Sequence, residues 1–117
     1  MKKISRNHLE KLYDLETILS YLNPDVISDD VYDKLVHLSF DDYDRIIDVA
    51  YANHFESLDD INKNAFKKII NQSLNELSDK DIDYIFQSTT YFPMENSENH
   101  QFVKNLLLTI KDRFDWI

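Results

Sequence analysis

Apolar side chains recur every three or four residues along most of the 117-residue chain, which is the spacing of one face of an α-helix. The first such stretch covers residues 5–22 and ends at Asn23-Pro24, because proline disfavours the helical conformation in the residue before it. Five further stretches predict five further helices. Their predicted starts are Ser28, Ser39, Ser57, Ser78 and Asn96 or Ser97.

Two of these helices set expectations for individual side chains. The third is predicted to run on to His54 as one helix with Tyr51 on its apolar stripe, so His54 is expected to be semi-buried and hydrogen-bonded rather than a metal ligand. The fourth runs to about residue 77 and includes Ile61 in its stripe. After the last helix, Trp116 and Ile117 are expected to dock on the core.

Serine precedes each of the first five predicted helices, and a serine hydroxyl accepts a hydrogen bond from a free amide of a helix's first turn. Three of these serines are followed three residues later by aspartate, which is close to a capping box. The three pairs are Ser39/Asp42, Ser57/Asp60 and Ser78/Asp81.

A weak internal similarity links residues 4–12, 38–46 and 77–85. Each has an apolar residue, Ser, three residues, an apolar residue, an acid, any residue and an apolar residue. The spacings are typical of helical-hairpin repeats, but any capped amphipathic helix gives the same pattern. The chain is therefore predicted to be one all-α domain over residues 1–117. It is expected to be a compact bundle of about six helices, or three stacked antiparallel helix pairs.

The composition excludes several kinds of site. The chain has no glycine, so it has no Walker A loop, dinucleotide fingerprint or nucleophile elbow. It has no cysteine, which excludes disulfides and thiolate zinc sites. The four histidines lack metal-binding spacing, and the calcium-loop-like run that starts at Asp79 has Tyr84 where glycine is required. We therefore expect no cofactor, no metal and no enzymatic activity.

Location follows from the same composition. No apolar run reaches the ~18–20 residues that cross a bilayer, and polar residues 5–8 follow the N-terminal lysines where a signal peptide has its apolar core. The absence of cysteine suits a reducing compartment. A cytoplasmic protein without membrane contact is expected.

Charge is concentrated in residues 14–60, which hold 13 acidic and two basic residues. The net charge of this segment is −11, whereas that of the whole chain is −9. Such a field repels nucleic acid and anionic membranes and attracts basic surfaces. Direct nucleic-acid binding is therefore not expected.

About half of the aspartates are predicted to lie in first turns of helices, where the helix dipole stabilises a carboxylate by ~0.3–1 kcal/mol. Folding does not require the remaining acids, and they indicate either selection for a negative surface or simple solvation of an exposed face. These surplus acids are Asp14, Glu16, Asp33, Asp44 and Asp48. Asp41, Asp44 and Asp48 are predicted to form one ridge on the third helix, and Asp29 and Asp33 a like-charge pair one turn apart.

The leading hypothesis is a non-catalytic inhibitor that neutralises a basic-faced toxin or nucleic-acid-handling enzyme, using carboxylates in place of phosphates. In size and charge alone the chain is similar to toxin-immunity proteins and phage-encoded inhibitors. The predicted partner-binding residues are Asp29, Asp30, Tyr32, Asp33, Asp41, Asp44, Asp48 and Tyr51.

The alternative hypothesis is a helical-repeat adaptor or small structural subunit. It would bind a protein through an apolar groove or through residues 91–94, whose Tyr-Phe-Pro-Met sequence suits either an interface anchor or a plug at the end of the bundle.

Overall fold

Helices form all the regular elements in residues 5–39, 41–88 and 99–117, which are the residues described by the computed structural model of the protein. In chain order they are α1 (Arg6–Leu19), α2 (Asp29–Val36), α3 (Tyr43–Ala50), α4 (Ala52–Glu56), α5 (Asp60–Glu76), α6 (Asp79–Ser88) and α7 (Asn99–Arg113). A 3₁₀ turn, Ser20–Leu22, extends α1. The predicted all-α fold class is confirmed.

Serine caps α1, α2 and α6 as predicted. Ser5 and Ser28 accept hydrogen bonds from the backbone amides three residues later, at 3.1 and 3.3 Å. At α6 the bonding is reciprocal, because the Asp81 amide donates to Ser78 Oγ at 3.2 Å and the Ser78 amide donates to Asp81 Oδ2 at 3.0 Å. The capping box with aspartate in place of glutamate is therefore real at this helix.

The other two predicted serine caps are wrong. Asp42 caps α3 and Asp59 caps α5, each accepting from the amide three residues later. Ser57 instead donates its hydroxyl hydrogen bond to a backbone carbonyl, and Ser39 donates to a neighbouring carboxylate. Aspartate accepts a hydrogen bond at an N-cap as well as serine does, and its charge also interacts favourably with the helix dipole. At both helices the aspartate immediately before the first helical residue is therefore the cap.

The predicted third helix is two helices, α3 and α4, that meet at Tyr51. The φ angle of Tyr51 is −119°, outside regular helical geometry, although its amide still donates to the Ile47 carbonyl at 2.9 Å. No residue is inserted or lost at the break, so the apolar spacing continues across it. The spacing of apolar residues therefore gives no sign of the break.

The first and last helices lie at the centre of the bundle. α1 packs against α5 and α6, and α7 packs against α3, α5 and α6. In a linear stack each helix pair contacts only its neighbours, but here α1 of the first predicted pair contacts α6 of the third. The fold is the compact bundle and not three stacked pairs, and its radius of gyration of 13.9 Å is close to the ~13 Å expected for a folded chain of this length.

Most of the residues predicted to lie on apolar helix faces are buried in the core, and a few positions differ. Ile18 is fully buried although the predicted apolar stripe of the first helix did not include it. Ile61 is 80% exposed, because α5 begins only at Asp60 and its first turn faces solvent. Trp116 and Ile117 pack against the core, which confirms the predicted docking of the tail.

Membrane insertion has no candidate element in the part of the chain that the structure describes. None of the helices there combines the length and the apolar character that a bilayer span requires.

Candidate partner-binding surface

α2 carries three of the predicted partner-binding carboxylates, and all three are exposed. Asp30 forms an ion pair with Lys34, at 3.1 Å between Oδ2 and Nζ. Asp29 and Asp33 lie one turn apart on the helix face away from Val31, and neither has a basic partner within residues 5–39, 41–88 and 99–117. The like-charge pair predicted from the spacing is therefore present and is not neutralised by those residues.

α3 packs against α2 and carries Asp44 and Asp48, both exposed. The Asp48 carboxylate pairs with the guanidinium of Arg113 at the end of α7, and Arg113 Nη1 also donates to the Asp44 backbone carbonyl at 3.2 Å. This pairing joins residues 65 positions apart, so it was not predicted. Asp48 is thus part of an inter-helix contact rather than a surplus charge.

The predicted acidic ridge on the third helix is wrong at Asp41. α3 begins at Tyr43, so Asp41 lies in the turn before it, where its carboxylate accepts from the Ser39 hydroxyl. For the same reason Asp44 lies in the first turn, where the helix dipole favours a negative charge. Asp44 and Asp48 therefore lie one turn apart on α3 without Asp41, and all three carboxylates remain on the surface.

The two predicted tyrosines have different positions. Tyr32 is half-buried on α2 and remains available at the surface. Tyr51 is fully buried, and its hydroxyl donates to the Ile18 carbonyl at 3.0 Å. Tyr51 cannot contact a partner and is removed from the predicted set, because the apolar position that it occupies faces the core. We call the remaining residues the acidic surface: Asp29, Asp30, Tyr32, Asp33, Asp41, Asp44 and Asp48.

A mostly apolar groove of about 310 Å³ opens beside α2, where the segment between α1 and α2 meets α3 and α4. Its volume lies at the lower end of the range for ligand pockets. Val26, on its wall, is 64% exposed. The side chains that define the groove are Tyr21, Val26, Ile27, Val31, Ala50 and His54.

Aromatic rings form a rigid wall of this groove. Tyr21 stacks on Tyr51 with ring centroids 4.8 Å apart and on His54 with centroids 5.4 Å apart. The Tyr21 hydroxyl is hydrogen-bonded to His54 Nδ1, and burial raises the pKa of Tyr21 to about 12. His54 is hydrogen-bonded as expected, but it is exposed rather than semi-buried.

A second depression, of about 320 Å³, lies on α1 and shares Ser20 with the groove. Glu16 and Tyr13 line it, and Tyr13 is 57% exposed. Glu16 is half-buried, and no cation pairs with its carboxylate among the described residues.

Of the surplus acids identified in the sequence, Asp33 and Glu16 are the two without a local role in the described residues. Asp14 accepts a hydrogen bond from Gln72 at 3.1 Å, Asp48 pairs with Arg113, and Asp44 lies in the first turn of α3.

The groove residues were missed as a site in the sequence. Val26 and Ile27 lie between two helices, so they belong to no helical stripe. An apolar pair after Asn23-Pro24-Asp25, in a segment of turn-forming residues, is the signal that could have indicated an exposed apolar surface.

A separate set of ionic contacts fixes α6 to its neighbours. His8 Nε2 lies 3.1 Å from Asp81 Oδ1, and His100 Nδ1 lies 3.0 Å from Asp83 Oδ2. Lys104 bonds to Asp79 and lowers the pKa of that carboxyl group. These contacts tie α1 and α7 to α6, and they account for the two histidines as structural residues.

Metal binding has no candidate in the described ranges, where no three histidine or acidic side chains are grouped closely enough to hold an ion.

Residues 91–94, the alternative binding segment predicted from the sequence, lie outside the described residues. Comparison with protein-family models, with curated proteins and with solved structures finds no match for this chain.

Proposed function

We propose that this protein is a non-catalytic inhibitor that binds a basic-faced protein, such as a toxin or a nucleic-acid-handling enzyme, through the acidic surface of α2 and α3. The observation that carries the proposal is the exposed Asp29 and Asp33 pair, which has no basic partner in the described residues. Like charges one turn apart destabilise a helix by ~0.2–0.5 kcal/mol. Folding gains nothing from that repulsion, whereas a basic partner would relieve it.

The spacing of the carboxylates supports a partner that normally binds nucleic acid. Asp29 and Asp33 are about 6 Å apart along the helix axis at ~1.5 Å per residue. Duplex DNA presents one negative charge per ~1.7 Å of its axis, so an enzyme groove that binds it is lined with lysine and arginine. Carboxylates on α2 and α3 would occupy such a groove without being a substrate. The proposal includes a cytoplasmic location, which the absence of cysteine supports.

The experiment requires the partner itself, captured from native cells on the immobilised protein and identified by mass spectrometry. The rate of association is then measured by surface plasmon resonance, from about 0.05 M to about 0.5 M salt. The variant is Asp29→Asn with Asp33→Asn. We expect it to associate about tenfold more slowly at low salt and to show a weaker salt dependence, because surface charges act mainly on the association rate.

The matched control is Asp112→Asn with Asp115→Asn, which removes two exposed carboxylates that lie outside the acidic surface. It changes the net charge by the same amount. If the control slowed association as much as the α2 variant does, the effect would belong to the total charge and the acidic surface would not be the binding site. A captured partner whose activity is unaffected by the protein would argue against inhibition.

A second candidate function is an adaptor or small structural subunit that binds a protein through the apolar groove. The 64% exposure of Val26 on the groove wall favours it. Its association would be nearly independent of salt, since apolar contacts are not screened, whereas association through the acidic surface slows as salt rises.

A further inference from the structure

We propose that the groove receives a single apolar side chain from a basic helix of the partner, while Glu16 and Asp25 hold lysine or arginine side chains on either side of that anchor. This inference rests on the proposed function and specifies its contact chemistry. The groove and the α1 depression share Ser20, so one bound segment can contact both.

The apolar part of the surface is held in place rather than left loose. The amides of Val26 and Ile27 donate to the Asn23 carbonyl at 2.9 and 3.1 Å, and the Asp25 amide donates to Asn23 Oδ1 at 2.9 Å. Three hydrogen bonds to one residue thus fix the turn that exposes Val26. A surface that is already ordered loses little conformational entropy when a partner binds, which favours its use as a binding site.

The opposite wall is equally fixed. The Tyr21 ring stacks on those of Tyr51 and His54, and it makes a perpendicular contact with Phe66 at a centroid distance of 6.3 Å. The groove volume of about 310 Å³ is small, so it suits one side chain rather than a whole helix face. Its mostly apolar lining matches an aliphatic anchor such as leucine.

The charges around the groove determine the chemistry of the flanking residues. Glu16 lies one helical turn before Ser20, about 6 Å along α1. Asp25 is exposed and directly precedes Val26, which lines the groove. Neither carboxylate has a cationic partner in the described ranges. A partner helix with lysine or arginine about one turn from its apolar anchor would place a cation near Glu16.

The probe is a synthetic helical peptide of about 20 alanines and lysines with one central leucine, and its binding is measured by fluorescence anisotropy at about 0.15 M salt. Val26→Ser is expected to weaken binding about fivefold, because it removes apolar surface from the groove wall. Glu16→Gln is expected to weaken binding by a similar factor and to reduce its salt dependence. Ile61→Ser is the matched control, because Ile61 is an 80% exposed apolar residue on α5, and it should leave binding unchanged.

A second peptide, with serine in place of the central leucine, completes a double-mutant cycle. The Val26→Ser effect should disappear with this peptide if the leucine occupies the groove. If Val26→Ser weakened both peptides equally, or weakened neither, the proposal would be overturned. A third peptide, with glutamine in place of lysine, should bind at least tenfold more weakly, and equal binding would overturn the basic chemistry.

Two further measurements distinguish a partner-binding groove from a dimer interface and from the acidic surface. If the wild-type protein dimerised in sedimentation equilibrium and Val26→Ser did not, the occupant would be a second copy of this chain and the proposal would be wrong. If Asp29→Asn with Asp33→Asn slowed association with the captured partner while Val26→Ser did not affect it, the groove inference would fail and the proposed function would stand. The reverse result, with the peptide cycle positive, would keep the groove and reject the acidic surface.

Discussion

At the scale of single residues, the contacts of each side chain separate the predicted binding residues that contribute to folding from those that do not. Tyr51 is fully buried with its hydroxyl bonded to a backbone carbonyl, so it belongs to the core. Asp48 is committed to Arg113, and Asp44 benefits from the dipole of α3. Asp33 has neither kind of support within the described ranges, so the proposed binding function depends on it more than on Asp44 or Asp48.

Asp81 allows a test of folding chemistry at the same scale. Burial opposes its ionisation, but hydrogen bonds from Ser78 and His8 overcome that effect and hold the pKa of Asp81 below its usual value near 3.8. A carboxyl group with a lowered pKa in the folded state stabilises the fold above pH ~4, and this contribution is lost as the pH falls through the lowered value.

We therefore expect Asp81→Asn to reduce the free energy of unfolding at pH 7 by about 1 kcal/mol, because the charged acceptor of the capping box and of His8 is lost. The difference from the wild type should shrink as the pH falls below about 4, where the wild-type carboxylate becomes protonated. Urea denaturation at several pH values measures it, with Asp112→Asn as the control. A difference that stayed constant between pH 7 and pH 3 would contradict the assigned role of the charge.

At the scale of elements, the helix starts show which of two neighbouring capping residues acts. Before α5, Ser57 and Asp59 both precede the helix, and only Asp59 accepts from an amide of its first turn, at 2.9 Å. Asp59→Ala should destabilise the protein by about 1 kcal/mol, which corresponds to a melting temperature lower by about 4 °C. Ser57→Ala removes one exposed hydrogen bond to a carbonyl and should change stability by less than about 0.5 kcal/mol.

Calorimetry of the two variants compares them directly. If Ser57→Ala proved as destabilising as Asp59→Ala, the serine would be the cap, as the sequence pattern predicted, and α5 would begin earlier than the structure has it.

The sequence predicted the helices well because amphipathic periodicity and caps are local properties. Each predicted helical segment is helical in the described residues, although the third is divided into α3 and α4, and Ser78 with Asp81 forms the box that their spacing indicated. The break at Tyr51 was missed, because the backbone bends there without changing the apolar spacing. The exposure of Ile61 was missed for a related reason, since it depends on whether α5 begins at residue 57 or at residue 60.

The candidate site was predicted less completely, because it depends on which distant residues meet. The acidic composition of α2 and α3 was evident, but the contact between Asp48 and Arg113 requires α3 and α7 to pack together. The groove forms where the segment between α1 and α2 meets α2, α3 and α4, and no local pattern contains it. A count of charges in one segment therefore overestimated the free carboxylates on α3 and missed Glu16 as a groove neighbour.

At the scale of the whole molecule, the helices that carry the acidic surface also contribute to the core, because Leu35 on α2 and Ile46 and Ile47 on α3 are fully buried. α1 and α7 form the centre of the bundle, whereas the acidic surface lies on α2 and α3. Arg113 connects the two, because it extends from α7 to Asp48 on α3. Arg113 thus joins the acidic surface to a central helix. Its removal should affect both stability and association.

Arg113→Gln should lower the free energy of unfolding by less than about 1 kcal/mol, since both partners of the ion pair are partly exposed to solvent. It also uncovers the Asp48 carboxylate and makes the net charge of −9 more negative by one unit beside the acidic surface. Association with the captured basic partner should therefore become about two- to threefold faster at low salt, and this gain should vanish at high salt. Lys80→Gln removes one exposed charge from α6, away from the acidic surface, and is the matched control. Equal acceleration by the two variants would mean that only the total charge steers the partner and that Asp48 lies outside the binding surface.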